Sequence, residues 1–215
     1  MAFDGDRHSL DQREPERHGA REPATTYHVI RAALGHTHHP RAVAIERLED
    51  GDTGTVELVF RQLGPQTRRW RFAGPKTRLS RDELALLARV GSGRLALVAR
   101  VGEHPAGLAH LVRKPETTSA EVAIVVADPW QRFGVGTALA RRLASEAAAI
   151  GIDRVHALIA NDNRASLALM RRATTIAETR FEGSDLHVVG RLPASDSITG
   201  CTVVEAETDV VAFAA

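Results

Sequence analysis

The stretch from Glu121 to Leu139, EVAIVVADPWQRFGVGTAL, constrains the fold of this chain more than any other. Val122 to Ala127 are apolar in unbroken succession. A strand that is apolar on both faces belongs in the middle of a sheet. Two glycines with one residue between them follow, and after them a segment rich in alanine and leucine. Leu139, Leu143, Ala147 and Ile150 recur at helical spacing, which predicts a helix over 134–150, and Gly151 suits its C-terminal end. A central strand therefore feeds a helix through a glycine turn. Such a turn presents free backbone N–H groups and the positive end of the helix dipole. Glycine also lets a ligand approach the backbone closely, so the turn suits a pyrophosphate. A tight turn with no ligand would ask for glycine too.

The remaining segments build a sheet around that unit. Residues 1–24 are charged and lack apolar periodicity, and read as a disordered tail. TTYHVIRAALGHTHHP is ambiguous, with a short helix ending near Gly35 as one reading. Val43, Ile45 and Leu48 alternate like a strand. Val56, Val59, Phe60 and Leu63 form a helical stripe stopped by Gly64-Pro65. Ser80 and Glu83 form a capping box opening a second helix. RLALVARVGEHPAGLAHLVR reads as a hairpin, DRVHALIA as a strand, NRASLALMRRA as a short helix, and TTIAETRF with LHVVGRL as a closing hairpin. The order is strand, two helices, three strands, helix, strand, helix, two strands, an α/β arrangement of one domain over 25–192. Residues 193–215 either add an edge strand or pack loosely.

Composition narrows the function. The net charge of the 215 residues is +1, which supplies no electrostatic case for nucleic acid or an acidic membrane. The single cysteine, Cys201, excludes an internal disulfide framework and fits a reducing cytoplasm. No apolar run approaches the ~18 residues of a membrane span, and no signal peptide is visible.

A dinucleotide is the most familiar ligand of a G-x-G turn, but the third small residue of that fingerprint is replaced by Leu139. No acidic residue stands cleanly at the end of the next strand to hold a ribose. The hexapeptide Gln131-Arg132-Phe133-Gly134-Val135-Gly136 instead resembles the Q-x-x-G-x-G motif of the GNAT superfamily of N-acetyltransferases. Asn163 and Ser166 match the asparagine and small residue of the family's next motif. Pro65, Arg68, Arg71 and Phe72 resemble the P-x-S-R-x-x-R-F pattern of a subgroup that includes bacterial protein-lysine acetyltransferases, with Thr67 for the serine. The resemblance spans roughly residues 43–192. It implies a mixed, mostly antiparallel twisted sheet flanked by helices, and acetyl-CoA as cosubstrate. The backbone of Arg132, Phe133, Gly134, Val135, Gly136 and Thr137 is then expected to hold its pyrophosphate. The strand at Ile124, Val125 and Val126 is expected to pair with the pantetheine arm where it splays from RVHALIA. Gln131, Asn163 and Ser166 complete the implied cofactor site.

The same resemblance places a general base at Glu121, on a strand face shared with Ala123 and Val125, where an apolar setting is expected. An amine must lose a proton before it attacks a thioester, and a carboxylate can take it. An exposed or arginine-paired strand-end glutamate is the alternative. The tyrosine that protonates the leaving thiolate in many relatives is replaced by Met170, and the only tyrosine, Tyr27, lies far upstream. The reaction expected is direct acetyl transfer to a primary amine, of a protein lysine or a small molecule. A non-catalytic acyl-CoA-binding module is the alternative. Neither a metal nor a nucleic-acid partner is expected, and either a monomer or a homodimer is compatible. His36, His38 and His39 read as a solvated loop rather than a metal site, and His110 and His156 as ordinary core or surface residues. Trp130 reads as packing, and Trp70 and Phe72 as anchors rather than pocket walls.

Overall fold

The computed structural model describes residues 26–30, for their backbone, and 41–193. The N-terminal tail, the His36–His39 stretch and the Cys201 tail lie outside these residues. The strands are β1 (Thr26–Ile30), β2 (Arg41–Arg47), β3 (Arg94–Val101), β4 (His104–Arg113), β5 (Ser119–Val126), β6 (Arg154–Ala160), β7 (Thr175–Glu182) and β8 (Asp185–Arg191). They form one sheet in the order β1-β2-β3-β4-β5-β6-β8-β7. Every neighbouring pair is antiparallel except β5 and β6.

The helices are α1 (Thr53–Arg61), α2 (Pro65–Phe72), α3 (Arg81–Leu87), α4 (Val135–Ala149) and α5 (Arg164–Ala173). Two expectations need correction. The segment left ambiguous, with a short helix ending near Gly35 as one reading, begins with β1, paired antiparallel to β2, since the β-branched and aromatic residues of TYHVI favour a strand; residues 31–40 lie outside the described residues. Between β2 and β3 there are three helices, not two. Gly64-Pro65 does end α1, but Pro65 then serves as the first residue of α2, where its missing N–H and fixed φ are harmless.

Local chemistry accounts for the helix ends. Asp52 accepts the N–H of Thr55 at 2.9 Å and opens α1. Ser80 and Glu83 form the expected reciprocal capping box of α3. Gly151, at φ 77°, takes the left-handed position after α4.

The core is packed on both faces of β3 and β4. Val56, Val59 and Phe60 of α1 press on one side; Leu139, Leu143 and Ala147 of α4 press on the other. Leu97, Leu111 and Ala109 between them are buried. β5, predicted to be central, runs beside this block with β4 on one edge and β6 on the other.

Candidate active site

Beyond its first rungs β5 has only one neighbour. It pairs with β6 over Ser119–Glu121 against Arg154–His156, and there the parallel register ends. Its other edge stays paired with β4 as far as Val126. β6 turns away to pair with β8 along its whole length. A wedge-shaped cleft opens between them, and the β6-facing backbone groups around Val122–Val126 have no strand partner. Buried or half-buried amides need partners, so this edge keeps hydrogen-bonding capacity that no strand among the described residues uses.

The glycine turn stands at the open end of the wedge. Arg132 at φ 66° and Gly134 at φ 85° both adopt left-handed backbone, and Gly134 is the N-cap of α4 without a side-chain cap. Among the described residues, no carbonyl or side chain accepts the N–H groups of Arg132 to Thr137. Val135 is buried in the core while its N–H faces the turn, which fixes the cradle to the sheet. Gly136 sits where an added Cβ would meet Val126 Cγ2 at 3.5 Å and Leu169 Cδ2 at 3.6 Å, ordinary contacts at the throat of the cleft.

Three of the predicted cofactor residues have their groups engaged inside the protein. Gln131 Nε2 donates to the Val126 carbonyl at 3.0 Å and to Thr67 Oγ1 at 3.2 Å. Asn163 Oδ1 accepts the Ser166 N–H at 3.0 Å and caps α5. The Gln131 side chain, Asn163 Oδ1 and the Ser166 N–H therefore shape the cleft walls. The Ser166 hydroxyl and the Arg132–Thr137 amides are not engaged in this way.

Sequence reasoning did not anticipate how α2 is held over the cleft. The Asp128 carboxylate accepts from the Gly64 N–H at 2.9 Å and Thr67 Oγ1 at 3.1 Å, tying α2 to the lip after β5. Asp162 accepts from Trp70 Nε1 at 2.8 Å and from Arg69, tying α2 to the lip after β6. The Trp70 hydrogen bond, followed by Arg69, holds the Asp162 carboxyl below the usual carboxylate range. Trp70 thus anchors as expected, and its ring also lines the cleft. Phe72 packs edge-on against Phe60 with centroids 5.6 Å apart. The one available signal for the first tie was Thr67, a hydroxyl in the serine position of the P-x-S-R pattern.

The apolar setting expected for Glu121 is not what the structure has. Its side chain is 69% exposed and lies 3.7 Å from Lys114 Nζ. The reason is its rung: β5 is still paired with β6 there, just before the apolar stretch, where Lys114 reaches it. Glu121 does lie at the vertex of the wedge, in register with His156. His156 Nδ1 is 3.3 Å from Nε2 of His187, and Arg180 Nε donates to the other His187 nitrogen at 3.2 Å. Burial lowers the His156 pKa, aided by Lys114 and His187. Met170 is buried beneath α5, with its methyl near Gly190, so no hydroxyl stands there. Trp130 is buried, as a packing residue should be. Among the described residues no cluster of metal-ligating side chains occurs, and no helix is long and apolar enough to cross a membrane.

A central strand parted from its parallel neighbour beneath a glycine-rich helix N-terminus matches what is known of other proteins. The sequence profile of the acetyltransferase (GNAT) family matches residues 63–174, and the chain belongs to that family. The GNAT domain of the Streptomyces lividans protein acetyltransferase superposes with a TM-score of 0.68 at 21% identity, covering 80% of this chain and 100% of that one. The ribosomal-protein-S18-alanine N-acetyltransferase of Escherichia coli gives 0.54 at 21% identity, covering 71% and 94%. A Salmonella typhimurium acetyltransferase solved with acetyl-CoA gives 0.54 at 20% identity, covering 70% and 92%. At these identities the likeness is one of fold. No curated protein matches the sequence significantly.

Proposed function

We propose that this protein is a cytoplasmic, acetyl-CoA-dependent N-acetyltransferase that moves the acetyl group directly to a primary amine. The observation that carries the reading is the parted β5 edge beneath the unpartnered amides of residues 132–137. The pyrophosphate is read as lying on those amides, and the pantetheine arm as pairing with β5 at Ile124 to Val126. Asn163 and Ser166 bound the cofactor from α5. The amine then reaches the thioester from the face of β5 that carries Glu121.

Glu121 is proposed as the base. A free amine with pKa ~10.4 costs roughly 4–5 kcal/mol to deprotonate at pH 7. Glu121 takes the ammonium proton, the freed lone pair attacks the carbonyl carbon, and the nitrogen of the tetrahedral adduct gives its second proton to water. The carbon–sulfur bond breaks, and the thiolate collects a proton from water, a light demand for a thiol of pKa near 8.5. Exposure and the Lys114 partner also suit a purely structural glutamate, and they support the second reading, a binding module without catalysis.

One variant tests the cofactor assignment and another the catalytic one. Gly136→Ala places a methyl group in ordinary contact, whereas Gly136→Val drives two more methyls into the throat. We expect valine to abolish acetyl-CoA affinity by calorimetry with the fold intact; retained affinity defeats the cofactor assignment. For Glu121→Gln, release of free CoA thiol with a panel of amines should fall by about 10²–10⁴-fold at neutral pH. The loss should shrink at high pH, where the amine arrives deprotonated, while acetyl-CoA affinity holds. Wild-type turnover in that variant removes Glu121 from the reaction.

A further inference from the structure

Helix α2 carries three arginines, and they are treated differently. Arg68 donates to the carbonyls of Phe60, Lys76 and Thr77, and Arg69 pairs with Asp162. Arg71 forms no hydrogen bond and no ion pair among the described residues. Its guanidinium rests 5.2 Å from the centre of the Phe72 ring, and burial lowers its pKa from the ordinary arginine value. Arg71 is half-buried, and a partly desolvated cation with no counter-charge among the described residues is costly, so such groups are ordinarily paired.

The surroundings show what is missing. Arg71 lines the cleft, and it also borders a small cavity walled by Phe72, Leu87, Leu108, His110 and Val125. The walls of that small cavity carry no carboxylate, and the carboxylates that line the cleft, Glu121, Glu182 and Asp185, form no ion pair with Arg71. His110 gives no counter-charge either: its Nε2 is 2.9 Å from the Leu87 carbonyl, its Nδ1 is buried without a partner, and burial beside Arg71 lowers its pKa to about 4. The position relative to Glu121 is set by the sheet. His110 lies opposite Ala123 on β5 and Val112 lies opposite Glu121. His110, Ala123 and Glu121 therefore share a face, with Glu121 two residues, about 7 Å, further along.

We infer that the acceptor carries a single carboxylate a short distance from its reactive amine, and that Arg71 binds it. The inference rests on the proposed acetyl transfer, because it assigns Arg71 to the acceptor and not to the cosubstrate. A guanidinium presents a planar fork that matches a carboxylate through two parallel hydrogen bonds. One half-buried cation between apolar walls and a neutral imidazole balances one negative charge; a dianionic phosphate would leave one charge unmatched. With its carboxylate on Arg71, the acceptor's ammonium end points along β5 towards Glu121. The carboxylate belongs either to a free amino acid or to an acidic residue beside a protein lysine.

Matched probes test this. 4-Aminobutyrate and 4-aminobutanamide differ only in the charge at one end; two short peptides, one with Lys-Glu and one with Lys-Gln, repeat the contrast. Binding is read from the indole NMR signal of Trp70, which lines the same cleft, without acetyl-CoA. Turnover is read separately as CoA thiol release. In at least one pair the acid should bind, and be acetylated with a kcat/KM, at least tenfold better than the amide; the pair that responds identifies the source. Arg71→Gln should erase that preference and leave acetyl-CoA affinity unchanged, Arg71→Lys should retain part of it, and Arg94→Gln at the outer wall should keep most of it. Equal response to both members of both pairs, including none, overturns the inference, as does a preference that survives Arg71→Gln. Failure of the wild type to bind acetyl-CoA breaks the proposed transfer instead, and an acid-selective Trp70 shift lost in Arg71→Gln would still establish the anion site.

Discussion

Strands β3 and β4 lie on one side of the cleft and β7 and β8 on the other, in a single sheet, yet they bury very different amounts of side chain. In β3 and β4 most positions are buried, with α1 on one face and α4 on the other. In β7 every position but Ile176 is exposed, and Phe181 stands 75% open. Within the sheet the two blocks are joined by three rungs of β5 and β6. A doubly covered sheet stores the folding free energy. A sheet covered on one side and joined by three rungs tolerates an open edge, and that edge is where the proposed cofactor contacts lie.

The largest test of this contrast compares two leucines. Leu111 is 1% exposed in β4, and Leu158 is 56% exposed in β6. Leu111→Ala should lose about 2–5 kcal/mol of stability in denaturant unfolding, and Leu158→Ala should stay within about 0.5 kcal/mol. Similar losses for both would dissolve the distinction.

Acid should find the same block. His110 is held near pKa 4, against ~6.5 in the unfolded chain. Between those values the unfolded chain binds a proton that the folded chain refuses. Stability contributed by the neutral His110 is therefore whole above pH ~6.5 and falls away as the pH drops towards about 4, by on the order of 3 kcal/mol. His156, lowered by burial and its cationic neighbours, adds a slope of the same sign from the far side. Unfolding measured between pH 7 and 4 should flatten more in His110→Leu than in His156→Leu; the reverse ranking would move the acid-sensitive site across the cleft.

A smaller effect probes the far block itself. Gly190 of β8 lies beneath the end of α5, where an added Cβ would sit 2.1 Å from Thr174 Oγ1 and 3.0 Å from Met170 Cε. Thr174 cannot swing away freely, because its hydroxyl donates to the Met170 carbonyl at 2.9 Å. Gly190→Ala should cost about 1–3 kcal/mol. A neutral result would show that α5 slides easily over this sheet and that the far wall of the cleft is soft.

The elements themselves were legible in the residues because their causes are local. The apolar run of Val122–Ala127 and the stripe Leu139, Leu143, Ala147 marked a central strand and its helix. Ser80 with Glu83 marked a helix start, and Gly151 marked the end of α4. Where local signals conflicted, reading failed: TYHVI was followed by residues that suit a helix, and Pro65 stops one helix while opening the next. The motif residues Gln131 to Gly136 were placed correctly at the turn. The internal engagement of Gln131 and Asn163 was not legible, because their partners Thr67, Val126 and Ser166 are chosen by the fold.

By itself, then, the sequence determined which segments are strands and helices, that a glycine turn joins a central strand to a helix, and that the chain carries the GNAT motif. Periodicity, capping and backbone freedom act over a few residues and can be read along a line. Tertiary structure alone decided where β5 and β6 part, that Glu121 meets Lys114 in the open, that Asp128 and Asp162 hold α2 from both lips, and that Arg71 has no counter-charge among the described residues. Each of these depends on groups brought together from distant parts of the chain, such as Arg69 and Asp162. Whether a charge is matched or a strand edge left open is a property of that assembled surface, since water and neighbours are allotted only when the sheet closes.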